Sequence, residues 1–198
     1  MNAAGSRGSL PFDAEVLAGY RPYLRTLAEI ELRGRFVRGF DASDVAQEAL
    51  LRAFRGAGRL RARSGPELLA WLRKALAGAL RDKLRRERRL KRDPRRELSL
   101  EASLARSSQR FGRLLEGKAS SPSGHAVRQE NRLLLARALE RLPDAQREAV
   151  VLRHIEELPL EEIAERMGRT TYAVSGLLRR GLRRLREELE GLFDEGSA

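Results

Sequence analysis

The sequence predicts an all-α chain: two small helical domains joined by a linker, the C-terminal one containing a helix-turn-helix. Three observations carry that expectation. Apolar residues recur at helical spacing along most of the chain and no stretch alternates convincingly with the period of a strand. A segment rich in Ser, Gly and Arg interrupts the pattern past the middle, and near the end two short amphipathic patterns flank a glycine. The expected boundaries are 10–93 for the first domain, 94–125 for the linker and 126–193 for the second domain. With 198 residues, each half is long enough for a modest helical core.

From Pro11 to about Phe36, the residues Val16, Leu17, Tyr20, Leu24, Leu27 and Ile30 recur near the helical period. Pro22 falls inside this run and is expected to open a new helix at its first turn, where proline is tolerated. Asp41 or Ser43 then caps a helix from about Ala42 to Arg55. Its inward side is expected to be Val45, Ala49, Leu50 and Phe54, and its outward side Asp44, Gln47, Glu48, Arg52 and Arg55. That outer face is polar and mixed in sign, which suits a protein partner better than DNA.

A basic, glycine-containing loop follows, and Pro66 begins a helix reaching about Arg89. Leu69, Leu72, Leu76, Ala79 and Leu80 form its apolar stripe, widened by Trp71 and Ala75. Arg73, Lys74, Arg81, Lys83, Arg85 and further arginines load the remaining surface and the helix end. Such a run is either a solvated helix end or a phosphate-binding surface, and a helix-turn-helix in the same chain favours the second. After Asp93-Pro94 the composition reads as linker. Leu98, Leu100, Leu104, Phe111, Leu114 and Leu115 are too many apolar residues for a free coil, so part of it should dock as a short helix. A helix returns from Ala126 to Arg141 with Leu134, Ala138 and Leu142 inward, and Leu142-Pro143-Asp144 ends it and starts the next, to about His154.

The last pattern holds the most information. Leu160, Ile163, Ala164 and Met167 keep i, i+3, i+4, i+7 spacing, and Val174, Leu177, Leu178, Leu182 and Leu185 form the stripe of a second helix. Gly168 suits a reversal with positive φ, Thr170 can cap the second helix, and Ala164 is small where two helices must cross. Opposite the stripe lie Tyr172, Ser175, Gly176, Arg179 and Arg183, with Arg180 beside them. Arginine grips phosphate or pairs bidentately with a guanine edge, so this face fits a polyanion. The plainer alternative is a solvated amphipathic helix in a bundle.

Lys and Arg number 40 against 28 Asp and Glu, a formal charge of +12, which favours an acidic partner with nucleic acid as the first candidate. The absence of cysteine excludes disulfides, thiolate zinc sites and cysteine nucleophiles. His125 and His154 lack metal-ligand spacing, there is no Gly-rich phosphate loop with its Lys and Ser/Thr, and carboxylates do not cluster, so neither metal, cofactor nor catalysis is expected. No signal peptide or membrane-spanning segment is evident, and a cytoplasmic location is expected.

These residues also carry a resemblance. The chain resembles the extracytoplasmic-function sigma factors, small specificity subunits of bacterial RNA polymerase. DASDVAQEALLRAF, Asp41 to Phe54, is similar to the family's Asp-x-x-Asp-x-x-Gln-Glu helix, which implies that Asp44, Gln47, Glu48 and Arg52 bind core RNA polymerase. ELLAWLRKALAGALRDKLRRERR, Glu67 to Arg89, is similar to the helix that meets and melts the downstream promoter element, which implies roles for Trp71, Arg73, Lys74, Arg81 and Arg85. RLPDAQREAVVLRHIEELPLEEIAERMGRTTYAV, Arg141 to Val174, is similar to the domain that reads the minus-thirty-five element, which implies promoter contacts for Arg169, Thr170, Thr171, Tyr172, Ser175, Arg179, Arg180 and Arg183. The three motifs occur in the family's order. One departure is Gly78, where the family commonly has Asn. The resemblance leaves room for an anti-sigma protein as a further partner. Two other readings stand beside it: a helix-turn-helix regulator that acts without polymerase, and an enzyme acting on nucleic acid.

Overall fold

The computed structural model describes residues 14–33, 41–56, 65–86, 94–116 and 125–195, which hold nine helices and no strand. These are α1 (Ala14–Ala18), α2 (Arg21–Arg33), α3 (Ala42–Gly56), α4 (Gly65–Arg86), α5 (Pro94–Glu116), α6 (His125–Glu140), α7 (Asp144–His154), α8 (Leu160–Met167) and α9 (Thr171–Glu195). The end of the basic run, 87–93, and the Ser/Gly-rich stretch, 117–124, lie outside the described residues. No described helix is long and apolar enough to cross a membrane.

Pro22 sits in the first turn of α2, where its missing N–H removes no helical bond. Asp41 caps α3: its Oδ1 accepts the Ser43 backbone N–H at 2.7 Å, which settles the choice between the two candidate caps. The buried side of α3 is built on Ala42, Ala46, Ala49 and Ala53, whose small side chains let α2 and α4 approach closely. Phe54 lies half a turn around the helix from Val45 and is 46% exposed, so it is outside the core and not part of it as expected. Val16 is likewise exposed.

The segment expected to be a linker with a short docked helix contains α5, 23 residues long. Leu100, Leu104 and Phe111 are buried, and Phe111 meets Tyr23 edge-on with centroids 5.6 Å apart. Ser107 and Ser108 complete this inward stripe at helical spacing. The Tyr23 hydroxyl donates to Ser108 Oγ at 2.7 Å, so a buried polar position is satisfied there and the helix continues through it.

One apolar cluster joins buried residues of α1 through α6 with Val150, Val151, Ile155, Leu185 and Leu192 from the C-terminal part. A second, small cluster of Leu152, Ile163, Ala164 and Val174 lies inside α7 to α9. In α6 the deepest residues are Leu135, Ala136, Ala138 and Leu139, with the expected Leu134 only half-buried. Where α7 crosses α9, a Cβ on Gly181 would meet Val150 Cγ2 at 3.0 Å and Gln146 Cβ at 3.3 Å, so glycine permits the close crossing. Gly191, ten residues later, faces open space.

Ion pairs also tie the two halves. Arg25 reaches Glu140 at 3.3 Å, and Arg33 reaches Glu148 at 3.9 Å and Glu156 at 3.8 Å. Burial holds the Glu156 carboxyl above its ordinary range; Arg33 and Arg166 pull it down, while Glu31 and Glu148 push it up. Such a group binds its proton more tightly folded than unfolded. Its stabilising contribution is therefore present below the ordinary carboxylate value and is lost as pH rises through the folded value.

Gly181→Leu should lower unfolding free energy by about 1–3 kcal/mol through overpacking, whereas Gly191→Ala should raise it by about 0.5–1 kcal/mol, both read by denaturant titration. The stability of the wild type relative to Glu156→Gln should rise on acidification toward the ordinary carboxylate range; a gap that widens in the opposite direction would contradict the assignment.

Candidate nucleic-acid interface

α8 ends as its sequence requires. Gly168 adopts φ 61° and ψ 39°, its N–H bonds Glu165 O at 3.1 Å, and the Arg169 N–H bonds Ala164 O at 2.9 Å. Thr170 then caps α9, its Oγ1 accepting the Ala173 N–H at 3.2 Å. Ile163, Ala164 and Val174 close the small core between the two helices, and Leu178 packs against both apolar clusters. The turn therefore aims the first turns of α9 outward.

That outward face holds the residues expected there. Arg169, Thr170, Thr171, Tyr172, Ser175, Arg179, Arg180 and Arg183 are all exposed, and Tyr172 is 89% so. Ser175 Oγ donates to Thr171 O at 2.9 Å, which leaves its oxygen as an acceptor outward. Arg183 lies 3.8 Å from Glu187, an exposed pair of little strength. Arg169, Arg179 and Arg180 have no ion pair among the described residues. Arg180 folds back so that its Nη1 lies 3.3 Å from where a Gly176 Cβ would be. The glycine therefore accommodates an arginine of the same face.

The α4 residues are placed differently. Lys74 and Arg85 are exposed, with Arg85 3.1 Å from Asp82, and Trp71 is half-buried against Gly56. Arg73 Nη1 donates to Ser108 Oγ of α5 at 3.3 Å, and Arg81 Nη2 lies 3.8 Å from Glu101 of α5. Carboxylates or α5 thus occupy much of the charge that the sequence offers on this helix.

On α3, Asp44 and Gln47 are exposed, with Lys83 3.8 Å from Asp44. Glu48 and Arg52 pair at 2.8 Å, and Arg52 continues to Asp82 of α4 at 2.9 Å. A Cβ on Gly78 would lie 3.2 Å from Arg52 Nη1, so the missing side chain at position 78 makes room for this bridge. Arg52 is turned toward α4 and away from the outward face. Leu51, 41% exposed, and Phe54 continue that face beside Gln47, an apolar pair that the sequence reading did not single out. Their angular distance from the alanine-lined side was the available signal.

The comparisons with known proteins agree with the order of these elements. A family model described as Sigma-70 region 2 matches residues 20–90, and one described as Sigma-70, region 4 matches residues 138–187. The RNA polymerase sigma-E factor of Streptomyces avermitilis is 34% identical over 175 residues, covering 86% of this chain and 85% of that protein. The chain belongs to the RNA polymerase sigma factors, as an extracytoplasmic-function member. The sigma-E factor of Streptomyces coelicolor is 33% identical over the same share of both chains. The flagellar Sigma-28 in its cocrystal with FlgM aligns over 89% of this chain and 94% of that one, at 18% identity and a TM-score of 0.35.

In this sigma factor, region 2 spans α2 to α4, and region 4 spans the end of α6, α7, α8 and most of α9. α5 lies in neither. Leu178→Asp should unfold the C-terminal part, because it places a charge where both apolar clusters meet; a folded variant by circular dichroism would contradict this packing. Thr170→Ala should cost about 1 kcal/mol in thermal unfolding while leaving the face of α9 in place.

Proposed function

We propose that this sigma factor carries core RNA polymerase to promoters through three surfaces, each on its own helix. Asp44 and Gln47, flanked by Leu51 and Phe54, form the docking face for polymerase on α3, with Glu48 held by Arg52 at its margin. Trp71, Lys74, Arg81 and Arg85 engage the downstream element from α4. Arg169, Thr171, Tyr172, Ser175 and Arg179 engage the upstream duplex from α9, with Thr170, Arg180 and Arg183 at the edges.

The observation that carries this reading is the charge state of the α9 face. Its central arginines have no carboxylate partner among the described residues, whereas elsewhere Arg25, Arg33, Arg52, Arg110 and Arg166 all pair. Unpaired arginines on a rigid helix meet phosphate or a guanine edge without first breaking a bond. Two modest DNA surfaces on one polymerase subunit become selective together, since binding one raises the effective concentration at the other. Binding displaced bases and polymerase supplies the energy of melting, so no catalytic step is needed and the factor acts in the cytoplasm beside the polymerase.

The test is run-off transcription with bacterial core polymerase on genomic fragments that include the factor's own upstream region. New discrete start sites are expected. None, together with duplex binding by the protein alone, would favour a regulator acting without polymerase. At an identified promoter, Arg179→Ala should weaken upstream binding by about 1–3 kcal/mol at one base position if it reads a base, or uniformly if it holds phosphate. Asp44→Ala with Gln47→Ala should reduce polymerase affinity, measured by holoenzyme assembly, without changing the melting temperature.

A further inference from the structure

Arg52, Asp82 and Arg85 form a run of contacts across the seam between α3 and α4, and its last member is a candidate DNA contact. Arg52 Nε lies 2.8 Å from Glu48 Oε1, and its Nη2 lies 2.9 Å from Asp82 Oδ2. The other carboxylate oxygen, Asp82 Oδ1, lies 3.1 Å from Arg85 Nη2. One aspartate therefore holds an arginine on each oxygen. Side-chain exposure is 29% for both Arg52 and Asp82 and 66% for Arg85, so the run leads from a sheltered end to an outward one.

The surroundings permit this arrangement at two places. Lys74, Gly78 and Arg85 share one face of α4 by helical spacing, and the glycine between the two cations leaves room for the Arg52 guanidinium; a Cβ there would sit 3.2 Å from Nη1. A cavity of about 220 Å³ borders the seam, lined in part by Val45, Ala79, Glu48, Arg52 and Asp82. Close packing does not confine Asp82 on that side, and the two arginines set where its oxygens point. Burial alone would lower the Arg52 pKa, but its hydrogen bonds to Glu48 and Asp82 raise it, so the guanidinium keeps its charge.

We infer that Arg52 and Asp82 are positioning residues for the downstream-element contact: Arg52 fixes the Asp82 carboxylate, and Asp82 holds Arg85 in place for the DNA. This rests on the reading of α4 given above, and it adds residues that act on the promoter only through Arg85. An isolated pair as exposed as Asp82 with Arg85 is worth little, because two mobile side chains must be ordered to make it. Here Asp82 is already ordered from the other side, and only Arg85 is left to order. Arg85 then meets its ligand with part of its rotamer freedom already lost, which favours binding. Arginine has several N–H donors and Asp82 engages only Nη2, so others remain for an outside acceptor. The same bridge joins the proposed polymerase-docking helix to the helix that meets the downstream element.

The test is the lifetime of the open complex that the full chain forms with core polymerase, at a promoter found by run-off transcription and after competitor is added. Holoenzyme assembly is measured alongside, so that lifetimes are compared at equal occupancy of polymerase. Arg85→Ala, Asp82→Asn and Arg52→Gln should each shorten the lifetime by about fivefold, a coupling usual within one ion-pair network. Arg52→Lys, which leaves a cation opposite Asp82, should keep most of it. Asp82→Asn with Arg85→Ala, and Arg52→Gln with Arg85→Ala, should be no shorter-lived than Arg85→Ala alone. Multiplied losses in these combined variants, which a merely loosened α3–α4 seam would give, would overturn the positioning role. So would unchanged lifetimes in Asp82→Asn and Arg52→Gln, or an Arg52→Lys complex as short-lived as that of Arg52→Gln. No start sites from the wild type would sink the initiation reading and this proposal together, whereas start sites with multiplied losses would sink this proposal alone.

Discussion

The structure depends on α9 serving two cores at once. Its first turns close the small cluster under the helix-turn-helix through Val174, and its later turns enter the main core through Leu185 and Leu192. Leu178 touches both. A helix of 25 residues is about 38 Å long, long enough to present Tyr172 and Arg179 at one end while the other is held by α6. The close crossing with α7 at Gly181 fixes its direction. The orientation of the basic face is therefore set by apolar packing some distance from it, and the arginines are free to meet a ligand.

A second consequence concerns charge. Among the described residues many carboxylates have an arginine nearby, and some of these arginines join helices together. Arg52 ties α3 to α4, Arg25 ties α2 to α6, and Arg110 ties α5 to the α7–α8 turn. At the start of α9, by contrast, Arg169, Arg179 and Arg180 have no ion pair among the described residues. Basic residues in this chain thus divide into those that hold helices together and those available to an outside anion, and residue type alone does not separate them.

That division explains what was legible in the sequence. The all-α class, the helix-turn-helix, its glycine turn and its Thr170 cap could be read because each rests on local spacing and a local backbone requirement. The helical part of the expected linker was underestimated because Ser107 and Ser108 fill two inward positions of α5, and the partners of Ser108, Tyr23 and Arg73, lie far away in the chain. Phe54 was placed inward because it is large and apolar, whereas alanines define the buried side of α3. Arg73 was read as available to DNA, since nothing local reveals a Ser108 opposite it. Long-range pairing of polar groups was the part that period and composition could not show.

The central claim is that the start of α9 lies against promoter duplex when the factor works. The most direct measurement places a photoreactive phenylalanine analogue at position 172 of the full chain, assembles it with core polymerase on a promoter found by run-off transcription, and maps the crosslink. The account predicts attachment to upstream duplex, well separated from the start site. Attachment to a polymerase subunit, or to the melted downstream strand, would contradict it.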